Sequence, residues 1–161
     1  MPTKSTRRRT SRTEAQVRVQ NASRSRRVPA TARFRTWVRA AAAGKTQVTV
    51  RLVGTAEARR LNLAFRSKDY ATNVLTFAYS PGTADIVLCP AVIAREAREQ
   101  GKAPESHYAH LTVHAILHMR GYDHERRADA ARMERAEIRI LKRLGHPDPY
   151  AIRATAPAPV Q

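Results

Sequence analysis

The sequence predicts an α+β domain, a mixed four-stranded sheet packed with about five helices, with a metal site on a central helix and the turn after it. Three observations carry that prediction. The stretches TQVTVRLV (46–53) and ADIVLCP (84–90) are β-branched or apolar in the manner of strands. NVLTFAY (73–79) is separated from the second of them by only Ser80-Pro81-Gly82, a turn short enough for a hairpin. Elsewhere, apolar residues recur at helical spacing, giving the order β-α-β-α-β-β-α-α-α.

The elements follow in chain order. Met1 to Thr13 is basic and polar without apolar pattern, so it is expected to be a disordered tail. Its Arg- and Ser-rich character also resembles an organellar transit peptide, but no apolar stripe supports that reading. VRVQNA (17–22) alternates as a short strand. Phe34, Trp37, Val38 and Ala41 share a helical face, with Gly44 placed as the C-cap. After the strand at 46–53, Thr55 opens a second helix with Leu61, Leu63 and Phe65 at its end. The hairpin follows, and then AVIAREAREQG, a third helix ended by Gly101. His107 to Arg120 is a fourth helix, apolar on nearly every side and therefore central and buried. Glu125 to Leu144 is a charged amphipathic helix ended by Gly145 and Pro147. One domain over 14–150 is expected, with a loose tail over 151–161. Cys89, the single cysteine, reads as a small buried strand residue and permits no intrachain disulfide, which fits a reducing cytoplasm.

The charge bounds the partners. The 161 residues hold 30 Lys plus Arg against 13 Asp plus Glu, a formal net charge of +17. Arginine supplies most of it, and guanidinium groups pair with phosphates in a bidentate way. Such a field draws polyanions. The alternative source of the bias is high-GC coding, which enriches arginine and alanine together. No apolar run approaches a membrane span, and no secretory leader is expected.

The stretch HAILHMRGYDH (114–124) holds three of the six histidines. His114 and His118 lie one turn apart on one helical face. Gly121 ends the helix, and the turn at Tyr122-Asp123 swings His124 back toward them. Three imidazoles with one open position is the pattern of a catalytic zinc. His110 lies about 12 Å along the axis from His118, too far to share their ion. It is assigned to support or packing, and His107 to the surface. Asp123 either orients a histidine or shapes the turn. In the HExxH peptidase pattern a glutamate follows the first histidine as general base; here that position is Ala115. A metal site of this kind can draw its own nucleophile from water near neutral pH. A phosphodiester adds anionic charge that an arginine can stabilise. Both lean toward phosphoryl transfer.

HAILHMRGYDH resembles the HGxLHLxGYDH signature of the YbeY family, bacterial endoribonucleases of ribosomal RNA maturation. LNLAFRSKDYATNVLTFAY resembles that family's LNxxYRxKDxPTDVLSF segment, and ADIVLC its GDIxIC strand. The resemblance spans about Val17 to Tyr150. It implies zinc on His114, His118 and His124, one ion per chain, and a catalytic role for Arg66. By composition alone Arg66 is one solvated arginine among many. The resemblance also implies a mixed sheet with helices and cytoplasmic action on single-stranded RNA. The substrate would be the 3′ end of small-subunit rRNA, with a part in ribosome quality control at the small ribosomal subunit. Ala115, Ala71, Asn73 and Ala84 depart from the family's usual residues, and none is a ligand. Two rival functions stand beside this one. One is a non-catalytic assembly factor that binds rRNA around a structural zinc; the other is a metal-dependent hydrolase of another bond, against which Ala115 argues.

The charge yields the first prediction. RNA affinity should fall steeply between about 50 and 200 mM salt as counterions are released. Filter binding across that range checks it, and a flat profile contradicts phosphate recognition.

Overall fold

A computed structural model describes residues 14–151. The basic tail expected over 1–13, and all but Ala151 of the expected C-terminal tail, lie outside the described residues.

Nine elements appear in the predicted order: β1 (Ala15–Asn21), α1 (Thr31–Ala41), β2 (Thr46–Leu52), α2 (Thr55–Arg66), β3 (Val74–Ser80), β4 (Thr83–Leu88), α3 (Pro90–Glu99), α4 (Pro104–Met119) and α5 (Arg127–Arg143). The strands form one sheet in the order β1-β2-β4-β3. β1 and β4 run parallel to β2, and β3 runs antiparallel to β4 as the outer strand. The fold is therefore α+β with a mixed sheet.

Strand alternation divides the core. Val48, Val50 and Leu52 of β2 and Ile86 and Leu88 of β4 face a large cluster built with α1, α4 and α5. Their neighbours in sequence, Val53 and Val87, face the other way, into a smaller cluster with Leu75, Ala58 of α2 and Val92 of α3. Period-two alternation with both phases apolar at one end is what a sheet covered on both faces requires. Phe34 and Trp37 of α1 meet edge to face at 5.3 Å, and Phe34 meets Tyr108 of α4 likewise at 6.1 Å, locking α1 onto α4.

Several boundaries differ from expectation for local reasons. Gly44 does not cap α1; the helix ends at Ala41 and Gly44 takes its positive φ in the loop before β2. Arg66 is the last residue of α2 rather than just past it, and Ser67 adopts the left-handed cap. Leu63 and Phe65, near the end of α2, are exposed. Pro90 opens α3 at its first turn, where its missing N–H costs nothing, instead of closing β4. Cys89 is buried at that junction. α4 likewise opens at Pro104, before His107.

His107 corrects the sequence reading most plainly. It is buried, not on the surface, with Nε2 3.4 Å from Glu96. Burial lowers its pKa, and Glu96 opposes that. Asn73 donates to the same carboxylate at 2.9 Å. No described helix is long and apolar enough to cross a membrane.

The β3–β4 turn rests on Gly82. It sits at φ +84°, and a Cβ there would run into the backbone oxygen of Lys45. Its own carbonyl accepts from Gln47 N–H at 2.7 Å. Gly82→Ala should therefore cost about 2–4 kcal/mol, combining left-handed strain with overpacking against rigid backbone. Urea denaturation of the variant measures it.

Candidate metal centre

From His107 to His118, every residue of α4 is buried except His110, His114 and His118. The helix is enclosed by α1, α3, α5, β3 and β4, and these three positions, four residues apart, form its one partly open stripe. Apolar residues everywhere else fix the rotation of α4, so the histidines face outward by elimination.

The turn then returns the third ring. Gly121 takes φ +96°, and Tyr122 N–H closes back on the Leu117 carbonyl at 3.0 Å. The Asp123 carboxylate accepts from the backbone N–H of His124 at 2.7 Å and of Glu125 at 3.2 Å. These bonds hold its pKa below the usual carboxylate range. Asp123 therefore shapes the turn and touches no imidazole. The guanidiniums of Arg120 and Arg132 lie 5.5 and 5.3 Å from the Tyr122 ring, bracing the same turn. The His114, His118 and His124 rings stand with centres 5.9, 5.7 and 5.3 Å apart.

Hydrogen bonds select the ring tautomers. His118 Nδ1 is 2.9 Å from the Tyr122 carbonyl, which can only accept, so Nδ1 carries the proton. His114 Nδ1 lies 2.6 Å from Oε1 of Glu137 and donates to it. In both rings the neutral form keeps its lone pair on Nε2. Glu137, on α5, is 1% exposed. Its second oxygen receives His110 Nε2 at 3.0 Å and the hydroxyl of Tyr150. Burial pushes the Glu137 carboxyl up, but the bonds from His110, His114 and Tyr150 outweigh it and hold the pKa at about 2.

Three imidazoles sharing one tetrahedral ion at ~2.0–2.1 Å would have ring centres about 5 Å apart. The observed triangle is slightly wider. Among the described residues no group of three such side chains meets coordination geometry as it stands. Small closing rotations of the rings would be needed. The donor set itself fits: three imidazoles, two half-buried and oriented by acceptors behind them and the third exposed.

The comparisons with known proteins follow that geometry. The model of the family described as endoribonuclease YbeY matches residues 14–145. The chain belongs to the YbeY family. It is 55% identical over 128 residues to the endoribonuclease YbeY of Aromatoleum aromaticum, covering 78% of this chain and 83% of that one. Against the Thiobacillus denitrificans protein of the same name it is 50% identical over 142 residues, covering 85% and 97%. A solution structure from Thermotoga maritima shares the fold at a TM-score of 0.55 and 24% identity, over 85% of this chain and all of that one.

In this YbeY chain the structure brings together His114, His118 and His124. It places Arg66 elsewhere: exposed at the end of α2, with Nη2 3.5 Å from the Thr76 carbonyl of β3. Among the described residues it makes no hydrogen bond to the histidines. His110 supports from behind, as expected. Sequence reasoning missed Glu137 and Tyr150. The signal for Glu137 was present: it falls among Met133, Ala136, Ile140 and Leu141 on the buried stripe of α5, where a lone acid demands partners.

A pH dependence follows. A carboxyl whose folded pKa lies near 2, below its ordinary 4.5, contributes stability above 4.5 that is lost as pH falls toward 2. Wild type should exceed Glu137→Gln in stability by a few kcal/mol at pH 6. That margin should shrink steadily below pH 4.5, as denaturant melts at stepped pH would record.

Proposed function

We propose that this chain is a zinc-dependent, single-strand-specific endoribonuclease. It would act in the cytoplasm on the 3′ end of small-subunit rRNA and in ribosome quality control. The observation that carries the reading is the convergence of His114, His118 and His124, with the Nδ1 atoms of His114 and His118 turned to acceptors so that each Nε2 keeps its lone pair. The relatives' name, endoribonuclease YbeY, supports RNA as the substrate. The +17 charge supports a polyanion.

His114, His118 and His124 would hold one zinc ion, which when bound supplies a Lewis acid for water and phosphate. Glu137 fixes the His114 ring and raises its donor strength. The Tyr122 carbonyl does the same for His118. Arg66 offers a planar pair of donors to a phosphate. It is held near β3 by a long contact to a carbonyl, which a phosphate oxygen would outcompete. Peptide hydrolysis of the HExxH kind is disfavoured, because Ala115 is fully buried and no base can act from its position.

Purified protein should contain about one transition-metal ion per chain by elemental analysis, and chelation should abolish cleavage of a short RNA. Folded His118→Ala should lose the ion; retention at wild-type affinity would sink the site. Arg66→Ala should keep metal and fold while slowing single-turnover cleavage by about 10²–10³, with Arg66→Lys recovering part. A wild-type rate in Arg66→Ala would return that arginine to the solvated surface.

A further inference from the structure

Among the large hydrophobic side chains exposed in the described residues, which also include Leu63, Tyr70 and Tyr150, the two most open are Phe65 and Tyr79. Phe65 is 62% exposed and Tyr79 66% exposed. Both belong to the face of the sheet that α2 and α3 cover only at one end. Along β3 the inward alternation Leu75, Phe77, Tyr79 runs from buried through half-buried to exposed as it leaves that cover. Phe65, at the end of α2, meets Phe77 edge to face at 5.1 Å. Tyr79 donates its hydroxyl to Asp85 at 2.6 Å, so its ring is fixed while its surface stays open.

The strand register extends this face sideways. Phe77 pairs with Asp85, Asp85 with Thr49, and Thr49 with Arg18, so these four form one row across the sheet. Arg18 is exposed, and Thr49 and Asp85 are half-buried. The row is neither a continuous apolar patch nor a purely charged one. It is an aromatic strip beside polar donors and acceptors. At the end of α2 that borders it stand Arg66, 3.5 Å from the Thr76 carbonyl of β3, and Lys68 just after the cap, both exposed. The acids nearby are engaged: Asp69 with Arg59, and Asp85 with Tyr79.

From this we infer that the open sheet face is a stacking platform for single-stranded RNA, with bases on Phe65 and Tyr79 and phosphates on the basic border of α2. The inference rests on the ribonuclease reading for its substrate class. Fixed aromatic rings on an open sheet, with cations tracking a backbone, suit unpaired bases, whose faces are free, and not duplex, whose faces are stacked. A protein partner would favour a larger dry patch than two rings among Thr49, Asp85 and Arg18. β3 is the outer strand and its opposite face packs on α4. The platform and α4 therefore lie on opposite faces of β3.

The test is fluorescence anisotropy with the full chain at fixed salt, using a 12-nucleotide RNA, the same strand with abasic sites throughout, and a duplex. Phe65→Ala and Tyr79→Ala should each weaken the single strand roughly tenfold or more and change the abasic strand and duplex little. Tyr79→Phe should keep most of the affinity. Both side chains are exposed, and thermal melts confirm that the variants are folded. A second measurement is photocrosslinking of a 4-thiouridine strand to wild type, which should mark the peptides carrying Phe65 or Tyr79. Unchanged single-strand affinity, or equal losses on the abasic strand, overturns the platform. So does loss of ribosomal-subunit binding with RNA affinity intact, which would make the patch a protein face. Wild type that cleaves RNA while both alanine variants bind normally overturns the platform and leaves the ribonuclease reading. Ring-dependent binding without any cleavage does the reverse.

Discussion

A carboxylate that is 1% exposed cannot remain charged unless nearly every lone pair is used, and the Glu137 side chain meets that demand in a way the rest of the site depends on. Oε1 takes His114, and Oε2 takes His110 and Tyr150. The three donors come from α4 and from the segment after α5, so one buried charge ties the central helix, the last helix and the chain beyond it. The same bonds decide which nitrogen of His114 is left for a ligand. Stability and site geometry are thus one interaction seen from two sides. The hydroxyl of Tyr150 is held so firmly by burial and by Glu137 that its pKa is raised well above the ordinary phenol value. The partners of Glu137 reach beyond the family match at residue 145, because Tyr150 lies outside it.

Much of this was legible in the sequence, for identifiable reasons. β2 and the β3–β4 hairpin announced themselves through β-branching and a Pro-Gly turn, which are local signals. Phe34, Trp37, Val38 and Ala41 were all buried as their spacing implied. The approach of the three histidine rings was readable because two of them lie one helix turn apart and the third follows a glycine. What depends on packing between distant elements was not readable. His107 looked like a polar residue near a helix start; it is buried beside Glu96 on α3, a carboxylate that Asn73 before β3 also engages. Leu63 and Phe65 were placed at the end of α2 by sequence, but their exposure depends on α2 overrunning the end of its apolar cluster. Glu137 was hidden among the many charges of α5, and only its phase on the apolar stripe distinguished it.

Arg66 shows the difference between a family resemblance and a contact. The resemblance gives it a role, and its place at the end of α2 beside β3 puts it at the border between two surfaces. On one side is the strand that packs against α4; on the other are the exposed rings. A guanidinium loosely resting on a backbone carbonyl is free to turn to either. Its neighbour Arg59 differs, because a bidentate pair with Asp69 occupies it.

The missing glutamate of the HExxH pattern is explained by the rotation of α4. Histidines at every fourth position use the one open stripe of this helix, and the positions after His110 and His114 turn inward. Leu111 and Ala115 both lie there, at 6% and 0% exposure. An acid at 115 would be buried among apolar neighbours, unpaired and neutral, and so unable to serve as a base. The carboxylate that the site does possess stands behind the histidines instead. With both oxygens engaged and a pKa near 2, Glu137 is too weak a base to take a proton at neutral pH. Its work is orientation. A site that lacks a carboxylate base beside its histidines suits a substrate that brings its own negative charge to a chain of +17, and a phosphodiester has that charge where a peptide has none.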